Sequence, residues 1–429
     1  MNNQRLAIID GLRTPFTKVG TDLKPLSADM LGAVVVRELL YRVPIEHSQV
    51  DHVVLGNVAQ PGNAANIARV IALKAGLSQS VPAYTVHRNC ASGMESLSTA
   101  ANAIFSGEAE IVVAGGTESM SNIPLLFNGQ MTDFFEQFFK AKTLSQKLRV
   151  LMKFRLSFLK PVIGVVQGLT DPVCGLVMGL TAENIAKDFM ISRSDQDEFA
   201  LQSHQRAVKA ELDQFFDSER MIFPSVIKGM SFVKKDIGPR SDQSIEALKK
   251  LRPYFDRKNG TVTVGNACPL TDGAAAVVVM SESKAKSLGI RPLGYVKAFA
   301  YSGLDPSRMG LGPVYAMNKV FQKTGYRLSD MDLVEINEAF AAQVLGCVRA
   351  CADQFYCQKY LNVDALGDIP MDKLNVHGGA IALGHPVGTS GTRIILTLLH
   401  ALKRYGLHRG VASLCIGGGQ GGACIVETE

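Results

Sequence analysis

The architecture of this 429-residue chain is decided by two short segments, Ser48-Gln-Val-Asp51-His-Val-Val54 and Ser329-Asp-Met-Asp332-Leu-Val-Glu335. Each segment places an aspartate three residues after a serine and directly before a mostly apolar run that is typical of a buried strand. One segment lies in each half of the chain, so we predict that the halves arose by internal duplication. The alternative is chance similarity between two ordinary α/β halves.

Helices and strands alternate around both segments. In the first half we predict strands at 6–10, 52–56, 84–86 and 110–114 and helices at 27–42 and 91–105. The second half repeats this order, with strands at 332–336 and 411–414 and helices at 313–324 and 389–403. The alternation predicts an α/β layered fold.

The predicted repeat is interrupted between its halves. We assign residues 1–118 and 258–283 to the N-terminal half, residues 284–429 to the C-terminal half, and residues 119–257 to an inserted loop lobe. The lobe contains predicted helices at 181–189 and 194–212. Because loops above a sheet commonly carry binding sites, we expect the lobe to shape the substrate site.

Composition excludes several classes of protein. A chain with 47% hydrophobic and 20% charged residues is not disordered, and its apolar runs are far shorter than the roughly 18 residues of a membrane-spanning helix. The net charge of +6 makes no case for nucleic acid binding. The first residues lack the pattern of a secretory signal. Eight cysteines without paired Cys-x-x-Cys spacing indicate reduced thiols and a cytoplasmic location. We interpret Cys347, Cys351 and Cys357 as core cysteines rather than metal ligands, because they follow a helical pattern without partner histidines.

Two segments carry candidate nucleophilic chemistry. Cys90 lies at a predicted strand-to-helix junction, where the helix dipole lowers the pKa of a thiol and favours a nucleophile; a small core cysteine is the alternative. His385 is the only titratable side chain of the glycine-rich segment 378–391, and it is either a general base or a structural histidine.

Two further segments carry candidate stabilising groups. Asn337 follows a predicted strand, and its amide either holds an oxyanion or water or caps the next helix. Cys415 precedes Gly417, so a thiol acid or base would lie beside backbone N–H donors. The chain has no Gly-x-Gly-x-x-Gly after a first strand and no Walker loop, which disfavours hydride transfer and nucleotide hydrolysis.

These motifs together resemble those of the thiolases over nearly the whole chain, through the segments Asn89-Cys-Ala-Ser-Gly93, Asn337-Glu-Ala-Phe-Ala341, Gly384-His-Pro386 and Cys415-Ile-Gly417. The resemblance implies a duplicated, five-layered α-β-α-β-α core with an inserted loop lobe, assembled as a homodimer or tetramer. It also implies an acyltransferase of fatty-acid β-oxidation. Such an enzyme binds no cofactor and uses coenzyme A as a substrate, cleaving 3-ketoacyl-CoA to acetyl-CoA and a shortened acyl-CoA.

The resemblance also implies a role for each catalytic residue. Cys90 would take the acyl group. His385 would activate Cys90 and, with a water held by Asn337, stabilise the enolate of acetyl-CoA. Cys415 would move the proton of that enolate and activate the incoming coenzyme A. The amides of Cys90 and Gly417 would form a second oxyanion hole.

Departures from the family pattern bear on the substrate. Val177 stands where many short-chain biosynthetic thiolases have histidine, and Cys268 stands where many members have a pantetheine-contacting serine. Both changes make the pocket less polar and argue against strict acetoacetyl-CoA specificity. Met178, Met309 and Phe340 match acyl-pocket positions in relatives, with core packing as the alternative for each.

The lobe resembles a particular relative. Residues 138–161 resemble the long insertion in the β subunit of the mitochondrial trifunctional β-oxidation protein, which pairs with a hydratase/dehydrogenase chain; that subunit has histidine where this chain has Asn337. Residues 140–160 contain seven basic and no acidic residues. A continuous helix there would place Lys142, Arg149, Lys153 and Lys160 opposite Leu144, Leu148, Leu151, Phe158 and Leu159. We predict docking on an anionic membrane or on a partner chain; packing of the apolar face on the core is the alternative.

The prediction is therefore a degradative 3-ketoacyl-CoA thiolase for medium or long chains. A biosynthetic acetoacetyl-CoA thiolase is the first alternative. A decarboxylating condensing enzyme is disfavoured because its corresponding loop lacks a second cysteine, here Cys415. A catalytically silent scaffold is disfavoured by the joint presence of Cys90, His385 and Cys415.

Overall fold

A computed structural model describes residues 5–224 and 232–429 of the chain. The first four residues of the predicted N-terminal half, and residues 225–231 of the predicted lobe, lie outside the described ranges.

The described residues form fourteen strands and fifteen α-helices. The strands are β1 (Leu6–Arg13), β2 (Thr17–Lys18), β3 (His52–Gly56), β4 (Ala83–Val86), β5 (Ile111–Ser119), β6 (Leu125–Leu126), β7 (Val162–Ile163), β8 (Phe223–Pro224), β9 (Phe232–Val233), β10 (Thr271–Ser281), β11 (Gly294–Gly303), β12 (Leu333–Ile336), β13 (Arg409–Ile416) and β14 (Gln420–Glu427). The helices are α1 (Ala28–Arg42), α2 (Ile67–Lys74), α3 (Ser92–Ser106), α4 (Gly129–Lys140), α5 (Leu144–Leu151), α6 (Gly164–Gly168), α7 (Met178–Asp188), α8 (Arg193–Leu212), α9 (Ile245–Lys249), α10 (Glu282–Ser287), α11 (Gly312–Thr324), α12 (Ala341–Ala352), α13 (Gln354–Leu361), α14 (Ala380–Leu383) and α15 (Ser390–Tyr405).

Strand pairing confirms the predicted duplication. In the first half, β3 is parallel to β4 and β5, and β10 is antiparallel to β5 and β1. In the second half, β12 is parallel to β13, and β14 is antiparallel to β13 and β11. A parallel bridge from Val334 to Leu374 stands where β4 stands in the first half. The halves therefore share one topology.

The two aspartates that revealed the repeat have the same structural role. Asp51 accepts the N–H groups of Glu110 and Ile111 at 2.7 and 2.9 Å, at the start of β5. Asp332 accepts the N–H groups of His408 and Arg409, both at 2.9 Å, at the start of β13. Each carboxylate satisfies backbone donors that precede or begin a central strand, which explains why the same residue recurs before β3 and β12.

Side-chain packing confirms the predicted five layers. One face of β10, through Val277 and Val279, joins a middle core cluster that also includes α3, α15 and residues of β13 and β14. The other face, through Ala276 and Val278, packs with α1 and α2. The outer faces of β13 and β14 pack with α11 and α12. The order is therefore helices, sheet, α3 with α15, sheet, helices. The two sheets also meet at one edge, where Leu6 of β1 lies opposite Val296 of β11.

The lobe differs from the prediction at residues 140–160, which do not form one helix. α4 ends at Lys140 and α5 begins after Thr143, whose hydroxyl accepts the N–H of Gln146 at 3.3 Å. The side chain of Gln146 accepts the N–H of Thr143 in return at 3.1 Å, which completes a capping box that starts a new helix. α5 is only eight residues long, and residues 156–159 form a separate 3₁₀ turn. The predicted basic stripe along a single helix is therefore wrong.

None of the helices in the described ranges is long and apolar enough to cross a membrane. Cys347, Cys351 and Cys357 are buried, the first two in the core cluster beneath α11 and α12. Across residues 5–224 and 232–429, no three His, Cys, Asp or Glu side chains are grouped to hold a metal ion.

Candidate active site

Cys90 occupies the turn between β4 and α3, as the sequence predicts. It lies just before Ala91, which is the N-cap of α3, and is half-buried. The predicted lowering of its pKa is wrong. Burial raises the pKa of the Cys90 thiol above its ordinary value, and the backbone N–H groups of Gly417 and Cys90 only partly offset this effect. In the resting site Cys90 is therefore a protonated thiol that needs a base.

Two further thiols lie close to Cys90. Cys415 is fully buried near the end of β13, and burial raises its pKa well above the ordinary value, with further increases from Cys90, Cys347 and Cys268. Burial also raises the pKa of Cys268 to about 12, again with a contribution from Cys90. The structure thus brings Cys90, Cys268 and Cys415 together as protonated thiols. A buried thiol that keeps its proton is suited to donate it as a general acid.

His385 follows the short helix α14, and hydrogen bonds define its tautomer. Its Nδ1 lies 2.5 Å from the hydroxyl of Ser390, and that hydroxyl lies 3.1 Å from the carbonyl of Pro386. Both bonds form only if Nδ1–H donates to Ser390 and Ser390 donates to Pro386. Nε2 then carries the free lone pair. It is buried and has no partner among the described residues.

The charge state of His385 suits a general base. Burial, together with the nearby guanidinium of Arg393, lowers its pKa to about 4. The ring is therefore neutral near pH 7, with Nε2 ready to accept a proton. A buried atom without a partner indicates a place that a ligand or water completes.

Asn337 presents a second unpaired group. Its backbone N–H donates to Ser413 at 2.9 Å, which fixes the residue at the end of β12 beside β13. Its Oδ1 lies 3.5 Å from Nη2 of Arg393, so Arg393 contacts the oxygen side of the amide. Its Nδ2 is buried without a partner in the described part of the chain. Asn337 therefore offers a free N–H donor, as the oxyanion prediction requires, rather than a helix cap.

The segment 267–270 joins the loops of Asn337 and His385. The N–H of Cys268 donates to Ala339 at 3.0 Å, and the N–H of His385 donates to Pro269 at 3.2 Å. These bonds hold both loops against the same short segment, next to the Cys268 thiol. The first-half thiol site and the second-half loops therefore meet at one place.

Gly417 lies in the loop between β13 and β14, facing Cys90. Its N–H points to the Cys90 sulfur, and its carbonyl accepts Nδ2 of Asn89 at 2.8 Å. A Cβ at Gly417 would lie 3.5 Å from Sδ of Met178, so the first residue of α7 borders this loop. The arrangement provides backbone donors beside the nucleophile.

The residues predicted to line the acyl pocket share one apolar cluster. Met309 and Phe340 are buried in the core cluster that contains α11 and α12, and Met178 and Cys268 pack against its edge. The ring of Phe340 lies 6.0 Å from that of Phe255, edge to face. Met178 and Cys268 therefore reach the site directly, whereas Met309 and Phe340 form the packing behind it.

Sequence reasoning missed three supporting residues: Ser390, Arg393 and Glu118. Glu118 is the penultimate residue of β5 and is fully buried; it accepts the N–H of Gly388 at 2.8 Å and so anchors the loop that carries His385. It also accepts Nδ2 of Asn57 at 3.0 Å, and burial raises its pKa to about 7. Ser390 and Arg393 lie five and eight residues after His385 in the sequence, and this nearness was the only available signal.

Family models match this chain over both of its halves. The model of the thiolase N-terminal domain matches residues 6–283, and that of the thiolase C-terminal domain matches residues 290–428. The chain therefore belongs to the thiolase family, and its predicted class as an acyltransferase is confirmed.

Two proteins named 3-ketoacyl-CoA thiolase match this chain over nearly its full length. The chain is 42% identical to a 3-ketoacyl-CoA thiolase of Yersinia enterocolitica over 428 residues, which cover 99% of this chain and 97% of that protein. It is 41% identical to a 3-ketoacyl-CoA thiolase of Pseudoalteromonas translucida, covering 99% and 97%.

Solved structures agree with this comparison. Human mitochondrial 3-ketoacyl-CoA thiolase in complex with CoA has a TM-score of 0.84 and 36% identity, covering 99% of this chain and 98% of that one. The acetyl-CoA acetyltransferase of Bacillus anthracis has a TM-score of 0.86 and 38% identity, covering 99% and 98%.

Proposed function

We propose that this thiolase cleaves 3-ketoacyl-CoA with coenzyme A, giving acetyl-CoA and a shortened acyl-CoA in fatty-acid β-oxidation. The observation that carries the proposal is the joint geometry of the site. Three protonated thiols lie near one another, while His385 and Asn337 each present a buried polar atom without a partner in the described ranges. The relatives named 3-ketoacyl-CoA thiolase support this substrate class, and the human neighbour bound to CoA supports coenzyme A as a substrate.

The first half-reaction transfers the acyl group to Cys90. Nε2 of His385 takes the Cys90 proton as sulfur attacks the 3-keto carbon, and the N–H groups of Cys90 and Gly417 stabilise the oxyanion. The bond between C2 and C3 then breaks, leaving an acyl-cysteine thioester and the enolate of acetyl-CoA. Protonated His385, with a water held by Asn337, stabilises the enolate oxygen. The thiol of Cys415 donates its proton to C2, which yields acetyl-CoA.

The second half-reaction regenerates the enzyme. The Cys415 thiolate takes the proton of the incoming coenzyme A thiol, which attacks the acyl-cysteine carbonyl. The same oxyanion donors act again, and Cys90 leaves as a thiolate that recovers its proton from His385. Cys90 thus regains its proton from His385, and Cys415 gains one from coenzyme A in place of the proton that it gave to C2. The raised pKa of Cys90 and the lowered pKa of His385 keep this pair neutral until substrate arrives.

Two variants test these roles. Cys90→Ala is expected to abolish cleavage and the acyl-enzyme seen by intact mass, because no other described thiol faces the Gly417 amide; acyl label that persists on this variant would remove Cys90 from the role. Cys415→Ala is expected to accept an acyl group slowly but to lose exchange of the C2 protons of acetyl-CoA. Normal exchange in that variant would contradict the acid/base assignment of Cys415.

The residues predicted to line the acyl pocket support a substrate with a medium or long acyl chain. Val177 and Cys268 stand where many relatives have polar residues, and Met178 follows Val177. Met178 and Cys268 pack against the apolar cluster that contains Met309 and Phe340. The likeness to an acetyl-CoA acetyltransferase makes the biosynthetic acetoacetyl-CoA thiolase the second candidate. Cleavage rates for 3-ketoacyl-CoA substrates of four to sixteen carbons separate the two. A preference confined to four carbons would favour the biosynthetic reaction.

We also propose a cytoplasmic enzyme that assembles as a homodimer or tetramer, with residues 119–257 acting as the substrate lobe. β4 lies at the edge of the sheet, and edge strands present unpaired backbone groups that another copy can pair with. Light scattering coupled to size exclusion measures the assembly, and a monomer at micromolar concentration would contradict it.

Residues 125–163, here called the lobe hairpin, expose many large apolar side chains, as a docking surface would. Of the five residues predicted for the apolar face, only Phe158 packs inward, 6.2 Å from Phe134. Leu144, Leu148, Leu151 and Leu159 are exposed, and so are further large apolar side chains of the hairpin: Leu125, Leu126, Phe127, Phe139, Met152, Leu156 and Ile163. Packing on the core therefore does not account for this face.

We propose that the lobe hairpin docks on an anionic membrane, where apolar side chains insert and each Lys or Arg contributes about 1 kcal/mol. The variant Lys142→Gln/Arg149→Gln/Lys153→Gln/Lys160→Gln should lose binding to phosphatidylserine vesicles and keep catalysis on short substrates. The control Lys24→Gln/Lys249→Gln/Lys250→Gln/Lys359→Gln removes equal charge from exposed sites elsewhere and should bind normally. If the wild-type enzyme does not bind the vesicles but binds a purified hydratase/dehydrogenase chain, the docking partner is that chain and not the membrane.

A further inference from the structure

Asn89, the residue directly before the nucleophile, has an unusual backbone conformation. Its φ is +44°, in the left-handed region that few residues other than glycine adopt, although asparagine tolerates it best. Such a conformation persists where surrounding contacts fix it. Two contacts fix it here: the Nδ2 of Asn89 donates to the carbonyl of Gly417 at 2.8 Å, and the carbonyl of Asn89 accepts the hydroxyl of Ser92 at 2.7 Å.

The partner loop needs an external restraint. Gly417 is followed by Gly418 and Gly419, whose φ values are +91° and +73°. Gly419 and Gly418 are held by other segments, because the carbonyl of Gly419 accepts the N–H of Leu304 at 2.8 Å and the N–H of Gly418 bonds to the carboxylate of Asp171. Gly417 has no side chain to pack, so its position also depends on contacts from other segments. Asn89 holds the carbonyl of the same residue whose N–H faces the Cys90 sulfur.

A second bond joins the same two segments. Nη1 of Arg88 lies 3.3 Å from Oε1 of Gln420, and the Arg88 guanidinium also pairs with Glu95 at 2.7 Å. Residues 88–89 of the first half are therefore bonded twice to residues 417–420 of the second half. The nucleophile turn and the glycine loop behave as one unit across the two halves.

We infer that Asn89 is a positioning residue that sets the separation of the Cys90 and Gly417 N–H groups, the two donors for the thioester oxyanion. This inference rests on the proposed role of those two amides. Stabilisation of an oxyanion requires both donors to point at one place before the charge develops. The amide of Asn89 joins the peptide before Cys90 to the carbonyl of Gly417, so it restrains both donors together.

Three substitutions separate the amide from the backbone. Asn89→Gly adopts the left-handed conformation freely but lacks the donor, and Asn89→Ala lacks the donor and strains the turn. Asn89→Asp keeps the shape but places an acceptor against the Gly417 carbonyl. All three should lower kcat by about 10- to 100-fold with KM within about twofold, because transition-state donors act on kcat. The control Asn362→Gly alters another left-handed asparagine, exposed after α13, and should leave kcat unchanged.

Alkylation of Cys90 by iodoacetamide provides the deciding readout. Displacement of iodide by the thiolate develops no oxyanion, so Asn89→Gly should slow acylation by 3-ketoacyl-CoA much more than alkylation, which depends only on the smaller effect of the Gly417 N–H on the pKa of the Cys90 thiol. Parallel loss of acylation and alkylation, or an unchanged kcat, would overturn the inference. Failure of the underlying site assignment looks different: Cys90→Ala would then still be acylated, whatever the Asn89 variants do.

Discussion

Ser390 offers a direct test of how the base is prepared. Its hydroxyl is the only described group bonded to Nδ1 of His385, at 2.5 Å, and it passes its own hydrogen to the carbonyl of Pro386. Ser390→Ala leaves the buried Nδ1–H without an acceptor. The ring then loses the contact that fixes its tautomer and aims Nε2, so proton removal from Cys90 should slow.

The size of the effect follows from that lost bond. A buried donor left unsatisfied costs about 1–3 kcal/mol, and each 1.36 kcal/mol changes a rate about tenfold. We therefore expect kcat to fall roughly 5- to 150-fold. KM should change little, because the altered side chain lies behind the ring rather than against the substrate.

Steady-state cleavage of a 3-ketoacyl-CoA substrate measures this change, with Thr392→Val as the matched control. Thr392 is also buried on α15, and its hydroxyl donates to Gly93 at 3.1 Å, so its loss removes one buried bond without touching His385. The control should lower the melting temperature as Ser390→Ala does but keep kcat within about twofold. A kcat for Ser390→Ala equal to that of wild type would refute the assigned role of the Ser390 hydroxyl.

The remaining predictions concern stability. Arg13→Met should lower the free energy of unfolding, measured in urea, by about 3–5 kcal/mol. The substitution removes the guanidinium that contacts the buried carboxylates of Glu219 and Asp236 at 2.6 and 2.7 Å. A loss of stability as small as that of an exposed substitution would contradict this prediction. Burial alone would raise the pKa of Asp236, but Arg13 and Arg220 hold it below the ordinary value. In wild type the stability that this lowered pKa contributes should therefore be complete above about pH 4 and be lost as the pH falls further. Gly116→Ala should reduce both stability and activity, since a Cβ there would collide with the carbonyl of Gly388 in the His385 loop; a fully active, equally stable variant would exclude that contact.

Local sequence signals were sufficient for the fold. The duplication was visible because Asp51 and Asp332 each accept backbone N–H groups at the start of a central strand. This role requires the same residue type at the same place in each half. Helix and strand positions also followed from periodicity, so α1, α3, β3 and β12 fall within about two residues of their predicted bounds. The catalytic motifs were equally local, because each is a short run: those of Cys90, Asn337 and Cys415 lie at or just after strand ends, and that of His385 lies in the loop before α15.

The errors arose where distant groups or a single capping residue decide the outcome. The pKa of Cys90 is set by burial among residues far apart in the chain, which outweighs the nearby helix end. The helix predicted across residues 140–160 is stopped by Thr143, whose capping box restarts the chain in a new direction. A helical wheel assumes that the helix continues, so it could not detect this break. Arg393 and Glu118 escaped notice for the first reason, because their partners Glu335 and Gly388 lie far away in the sequence. Ser390 escaped notice although its partners are close, because its bond to His385 depends on the conformation of the loop between them.

The proposed site therefore divides into two supports that can be told apart. Ser390 acts on His385 and hence on the proton of Cys90, so its loss should slow both acylation and alkylation of the thiol. Asn89 acts on the Gly417 loop and hence mainly on the oxyanion, so its loss should slow acylation much more than alkylation. The acylation and alkylation assays should therefore give different patterns for Ser390→Ala and Asn89→Gly if the base and the oxyanion donors are positioned independently. Identical patterns would mean that the loops of His385 and Gly417 move as a single element.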